Sequence, residues 1–153
     1  MTTRSIPIDS VPIDKGDRLH DDHCRLKAQL QWLHEQLTAA SLTPAESDRE
    51  LLKLEAELEQ HFTREEQGGL FEQIVETMPE LSECVRVILV QHQEFRGTFR
   101  ALRRTCRWAC AESGTRDGWL AEFAEFHRRF DAHECVEHEL LHEALNRDVG
   151  AGD

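Results

Sequence analysis

The 153-residue chain contains no tyrosine, so its chemistry cannot run through a tyrosyl radical. It also lacks any apolar run near the roughly 20 residues that a membrane-spanning helix needs. The opening residues lack the hydrophobic block of a secretory signal. Together these absences predict a cytoplasmic protein with no membrane partner.

Positive charge is scarce as well. The chain has 18 lysine and arginine residues against 30 aspartate and glutamate residues, for a formal net charge of -12. Because a surface this acidic repels polyanions, we expect neither nucleic acid nor an anionic membrane surface as a partner.

The cysteine pattern argues against a disulfide framework. The five cysteines are odd in number and include no Cys-x-x-Cys pair, which is typical of reduced thiols. Cys106 and Cys110 are one helical turn apart, a separation at which a helix rarely offers disulfide geometry.

Helical periodicity is the strongest positive signal in the chain. Four stretches place an apolar residue every three or four positions, a spacing that keeps these side chains on one face of an α-helix. The four stripes begin at Leu19, Leu51, Leu81 and Trp119. No stretch shows a competing strand pattern. The sequence therefore predicts four helices, each with one face turned toward the others.

Turn signals separate these helices. Breaks fall at TAASLTPAE, at GG followed by ETMPE, and at ESGTRDG. Thr43 has the spacing of a helix N-cap, with Pro44 in the first helical position and Glu46 three residues after the threonine. Short connections favour an all-α, up-down-up-down four-helix bundle. We expect this single domain over residues 17–147, after an N-terminal arm (1–16) and before a disordered tail (148–153).

Polar residues interrupt all four stripes. A buried polar group without a partner costs roughly 1–3 kcal/mol, so several of them would be a heavy load on a domain worth about 5–15 kcal/mol. Antiparallel packing brings all of these positions toward the same end of the bundle. The interruptions therefore predict a metal site built from His23, His61, Glu65, His92, His133 and Glu137.

The spacing of these six residues suits two metal ions. His61 with Glu65, and His133 with Glu137, are each four residues apart, so each pair projects two ligands from one helix face. If both glutamates bridge, each ion has two histidines and two carboxylate oxygens, and an oxide or hydroxide bridge leaves one position open. Imidazole mixed with carboxylate suits iron, manganese or zinc. An open position beside a redox-capable pair suits a small diatomic ligand.

We expect other roles for the polar residues that lie near these six in the sequence. His20 is kept as a supporting partner of the site or as an alternative to His23. Glu66 is expected at the surface. Off the stripes, and not expected to bind metal in this site, are Cys24, Cys135, His34, His127, His138 and His142.

Four segments carry a resemblance to a known family. In order, LHDDHCRL, HFTREE, LVQHQEF and HECVE resemble the signature segments of the hemerythrin-like family, also called the HHE cation-binding domain, over roughly residues 17–146. The resemblance implies a four-helix bundle that holds a non-haem di-iron centre. With four histidines and two glutamates, the ligand set looks more like that of repair-of-iron-centres proteins than that of oxygen-carrying hemerythrin.

The chain also departs from the family pattern. The carriers have an additional histidine four residues from the third-helix ligand, and this chain has Ile88 and Arg96 at those distances from His92. Simple oxygen carriage is therefore in doubt. The family's Leu-Phe-Pro after each His-x-x-x-Glu is replaced here by LFE and LLH. The pair Gly68-Gly69 is expected to loosen or bulge the end of the second helix.

Three functional hypotheses follow. The first is a di-iron protein that binds or senses oxygen or nitric oxide, in a response to oxidative or nitrosative stress or in iron homeostasis. The second is an enzyme that reduces nitric oxide or peroxide, or that donates iron to damaged clusters. The third is a structural or metal-storage module. The sequence does not identify an electron donor or a protein partner.

Overall fold

The computed structural model describes residues 13–111 and 113–150, and the side chains of residues 21–109, 111 and 114–147. The chain within these ranges is almost entirely helical. Its elements are α1 (Ile13–Thr38), α2 (Pro44–Gln67), α3 (Leu70–Thr77), a 3₁₀ turn (Pro79–Leu81), α4 (Ser82–Ala111) and α5 (Ser113–Gly150).

The ends of the bundle differ from the expected boundaries. Helix α1 begins at Ile13, ahead of the expected start near Asp17, and α5 continues to Gly150. The rest of the predicted arm and tail, residues 1–12 and 151–153, lies outside the described residues, as do the side chains of His20 and Cys110.

The four long helices form the predicted bundle. Helix α4 packs against α2 and α5, and α1 packs against the same two helices. Short connections between successive long helices make neighbours antiparallel. The all-α fold class is confirmed, and the described residues contain no strand. Within the same ranges, none of the helices is both long and apolar enough to cross a membrane.

The start of α2 is fixed by the cap that the sequence predicts. The backbone N–H of Glu46 donates to Thr43 Oγ1 at 3.1 Å, and the backbone N–H of Thr43 donates to Glu46 Oε2 at 2.8 Å. Pro44 occupies the first helical position. This capping box satisfies two backbone donors that a helix start otherwise leaves without partners.

The glycine pair ends the second helix, at the break that the sequence predicts, and does not only loosen it. Gly69 has a φ of 79°, in the left-handed region that suits glycine. A Cβ on Gly68 would lie 2.7 Å from the carbonyl oxygen of Arg64, so this position also favours glycine. The chain turns here and restarts as α3, a short helix that the apolar periodicity did not predict.

The bundle interior contains two apolar clusters. The larger runs along all four long helices and includes Phe62, Phe95 and Phe130. The smaller joins α3 to the start of α4 and the end of α5. Along α4, Ile88 belongs to the smaller cluster and Phe95 to the larger, and His92 lies between them. The predicted polar positions therefore form a layer between two apolar clusters.

Candidate metal centre

The structure brings the six predicted ligands together in this layer. Each of the four long helices contributes at least one of them. All are buried, with exposed fractions of 0% for His92 and Glu137, 3% for His61 and His133, 4% for Glu65 and 7% for His23. Polar side chains this deep in a protein need charge or hydrogen-bond partners.

The carboxylate of Glu65 contacts imidazoles from three helices, α1, α2 and α4. Its Oε1 lies 2.5 Å from His61 Nε2 and 3.0 Å from His23 Nε2. Its Oε2 lies 3.2 Å from His92 Nε2. One carboxylate oxygen thus contacts His23 and His61, and the other contacts His92. A ligand that bridges two ions requires this placement.

Glu137 is the second buried carboxylate among the six predicted ligands, and it lies beside His92 and His133. Its Oε2 lies 3.2 Å from His133 Nε2, yet neither of its carboxylate oxygens has a hydrogen-bond partner. Its donor atoms group with those of His92 and His133, and also with those of His23 and Glu65, each group within 4.8 Å. Glu137 therefore belongs to both halves of the centre.

Five of the unsatisfied atoms in the layer are atoms that a cation would bind. Buried without a hydrogen-bond partner are His92 Nε2, His133 Nε2, Glu65 Oε2 and both oxygens of Glu137. Their convergence in one small volume would be costly without a cation. Nitrogen and oxygen donors of this kind fit iron, manganese or zinc.

Two of the imidazoles are oriented by further hydrogen-bond partners. His133 Nδ1 lies 2.6 Å from Gln91 Oε1, and His92 Nδ1 lies 3.4 Å from Glu66 Oε1. Metal-binding histidines usually use their second nitrogen in this way, which fixes the ring and leaves the other nitrogen for the ion. Glu66 is therefore more than a surface residue, because its partly buried carboxylate, 23% exposed, also contacts a candidate ligand.

Arg96 holds Glu66 in that position. Its guanidinium donates to Glu66 Oε1 at 2.8 Å and to Glu66 Oε2 at 2.7 Å, and a third bond reaches Glu59 at 2.7 Å. The same group lies 5.3 Å from the centre of the Phe62 ring. The residue four positions after His92 is thus used to position a neighbour of the centre.

The buried groups perturb one another's pKa values. Burial alone would raise the pKa of Glu65, but the hydrogen bonds from His23 and His61 and the nearby His92 imidazole hold it well below its usual range. Burial, together with the neighbouring charge of Glu65, raises the pKa of Glu137 well above its usual range. Burial and the nearby imidazoles lower the pKa of His133 to about 3. A neutral imidazole and an ionised Glu65 are the protonation states that a metal ion needs.

Glu134 is a residue at the centre that the apolar stripes do not predict. It is 9% exposed, and its Oε1 is buried without a hydrogen-bond partner. Its carboxylate groups with the donor atoms of His23 and His61 within 4.8 Å. Burial raises the pKa of Glu134 to about 7. It lies seven residues after His127 and seven before Leu141, both half-buried, and this second row on α5 is the signal that could have found it.

The other histidines and cysteines considered in the sequence lie outside the groups of candidate metal ligands. His138 and His142 are exposed on α5, and Cys24 and Cys135 are exposed beside the candidate ligands. His34 and His127 are half-buried, with ring centres 6.4 Å apart. Among the described side chains, none of these residues belongs to a group that could hold an ion.

Comparison with known proteins gives one family match. A family model described as the hemerythrin HHE cation binding domain matches residues 14–145, a range that includes all six predicted ligands and Glu134. No curated protein and no solved structure matches the chain.

Proposed function

The chain belongs to the hemerythrin HHE cation-binding domain family, and from this membership we propose that it is a non-haem di-iron protein that binds a small diatomic molecule, oxygen or nitric oxide. The family accounts for binding of a cation. The number of ions, their identity and the ligand are the parts proposed here.

The pairing of the imidazoles carries the proposal of two ions. His23 and His61 form one pair, with ring centres 4.6 Å apart, and His92 and His133 form the other, at 5.0 Å. Glu65 contacts imidazoles of both pairs. Two pairs of nitrogen donors linked by buried carboxylates fit two neighbouring ions better than one.

The donor set supports iron as the metal. The groups consist of imidazole and carboxylate, with no thiolate among the described side chains. This mixture fits iron, manganese or zinc, and we propose iron because the hemerythrin-like resemblance implies a di-iron centre. When bound, two iron ions would supply redox-active positions at which a diatomic molecule binds.

Burial limits the size of the ligand. None of the six predicted ligands is more than 7% exposed, and apolar clusters lie on both sides of the layer. Only a molecule of very few atoms can reach such a centre through packed side chains. The surrounding apolar residues also favour an uncharged molecule over an ion.

The biological role is an extension of this proposal. The ligand set resembles that of repair-of-iron-centres proteins, and neither residue four positions from His92, Ile88 or Arg96, is the additional histidine that oxygen carriers have. We therefore place the protein in a response to oxidative or nitrosative stress, or in iron homeostasis.

Anaerobic addition of each gas to the reduced, iron-loaded protein tests the proposal. We expect a spectral change that saturates with gas concentration and reverses when the gas is removed. Metal-free protein treated in the same way should show no change. Continuous turnover to reduced gas products would instead indicate an enzyme. If neither gas changes the spectrum, the structural or storage hypothesis replaces this one.

A matched pair of variants locates the response. His92→Ala removes a buried candidate ligand of α4, whereas His142→Ala removes an exposed histidine of α5. The first should lose the gas-dependent spectrum, and the second should keep it. Equal responses in both variants would contradict the assignment of the site.

A further inference from the structure

We propose that Glu134 is a seventh protein ligand of the centre, bound to the ion held by His23 and His61, so that only the ion held by His92 and His133 keeps an open position. This inference rests on the proposed di-iron function. It deepens that function by stating which ion receives the diatomic ligand.

Geometry places Glu134 with one imidazole pair. Its carboxylate and the donor nitrogens of His23 and His61 lie within 4.8 Å of one another. Helix α5 packs against both α4 and α1. His133 faces His92 on α4, with ring centres 5.0 Å apart. Glu134, about 100° further round the helix, faces α1 instead. One helix thus supplies ligands to both ions from adjacent residues.

Burial indicates that Glu134 needs a cation. At 9% exposed, its side chain is shielded from water, and Oε1 has no hydrogen-bond partner. By contrast, Glu139 on the same helix is exposed. A buried carboxylate without a partner is strongly unfavourable, whereas a bound ion would supply the missing charge and bond.

Among the described side chains, the opposite imidazole pair groups only with Glu137, whose donor atoms also group with those of His23 and Glu65, so this pair has no carboxylate that it does not share. Arg96, one turn after His92, is directed to Glu66 and Glu59. Phe62 stacks on His92 with ring centres 4.4 Å apart, and Phe95 lies 5.1 Å from His133. The ion on this side would therefore have fewer protein ligands and an apolar wall, which suits an uncharged diatomic molecule.

Nitric oxide bound to the reduced, iron-loaded protein provides the probe. With two irons per chain, the wild-type protein should take up one nitric oxide per chain. Glu134→Ala should open a position on the other ion and raise the uptake to two, or release that ion and lower the iron content to one. Glu139→Ala, which removes an exposed carboxylate from the same helix, should match the wild type in both measurements.

Mössbauer spectra of the oxidised, ⁵⁷Fe-loaded proteins give a readout that does not depend on gas binding. The wild type should show two resolved doublets of equal area, because its two ions have different ligand sets. In Glu134→Gln, which keeps the side-chain volume, one doublet should shift while the other stays in place. This measurement also applies if Glu134→Ala fails to fold.

Several results would overturn the inference. The first is that the wild type takes up two nitric oxide molecules per chain. The second is that the Glu134→Ala variant keeps two irons and still binds only one nitric oxide. A Glu134→Gln spectrum identical to that of the wild type would also do so. These outcomes leave the di-iron function standing. A wild-type protein that binds fewer than two irons would overturn the proposed function, and this inference with it.

Discussion

Replacing Glu134 by glutamine should make the metal-free protein more stable, by an amount that grows with pH. Burial, opposed in part by the charge of His23, raises the pKa of Glu134 to about 7 in the folded protein. The ordinary glutamate value is 4.5. The pKa of Glu134 is therefore higher in the folded protein than in the unfolded chain. As a result, ionisation of Glu134 does not lower the free energy of unfolding below the unfolded-state pKa, and it lowers that free energy as the pH rises through the folded-state pKa.

The size of the effect follows from that difference. Each pH unit between the two pKa values corresponds to about 1.4 kcal/mol, so ionising Glu134 in the folded protein costs about 3 kcal/mol above neutral pH. Glutamine has nearly the same shape but does not titrate. Relative to the wild type, the metal-free Glu134→Gln variant should therefore gain roughly 2–3 kcal/mol between pH 5 and pH 8.5. That gain corresponds to roughly 5–10 °C in the midpoint of thermal unfolding.

Urea unfolding of both proteins in the presence of a chelator, followed by circular dichroism, measures the effect. Groups that titrate in both proteins, such as His133, largely cancel in the comparison. Addition of iron should reverse the sign, because the wild-type carboxylate then has a cation and the variant has lost a ligand. A stability difference that stays constant from pH 5 to pH 8.5 would show that burial does not raise the pKa of Glu134.

Three further predictions concern the ligands, a neighbouring carboxylate and the turn after α2. His61→Ala should lower the bound metal to one equivalent or fewer and reduce thermal stability, whereas His142→Ala should do neither; two equivalents in both would contradict the ligand assignment. Glu66→Gln should weaken iron binding about 10–100-fold in a chelator competition, because it removes a partner of a candidate ligand; unchanged binding would count against that role. Gly69→Ala should lower the free energy of unfolding in urea by about 1 kcal/mol, since the φ of Gly69 is positive. Gly97→Ala, on an exposed turn of α4, should raise the same free energy by up to about 1 kcal/mol. Equal effects of the two substitutions would contradict this explanation.

Helical geometry explains why the bundle and its central layer could be predicted from the sequence. A helix repeats every 3.6 residues, so the spacing from Leu58 to His61 and Glu65 already places all three side chains on one face. Short connections then bring the equivalent positions of neighbouring helices to the same level. The burial of the six predicted residues needed no information beyond these two rules.

The residues beside the stripes could not be predicted in the same way. Glu66 and Glu134 each follow a stripe residue directly, so their burial depends on how far a helix is rotated and on which neighbour covers its flank. Glu66 is also held by Arg96, which lies 30 positions away in sequence. Contacts between helices decide such positions, and a pattern within one helix does not contain them.

Helix α3 shows a different limit. It has only eight residues, too few for an apolar stripe to be distinguished from a turn. Gly68 and Gly69 marked a break, but the direction of the chain after the break depends on the packing of Phe71 and Ile74 against the smaller apolar cluster.

Metal analysis of the protein purified without added metal shows directly whether this bundle holds the two proposed iron ions between its four long helices. We expect two irons per chain. Protein that is folded and stable yet contains no iron, or only one ion per chain after iron is supplied, would contradict this expectation.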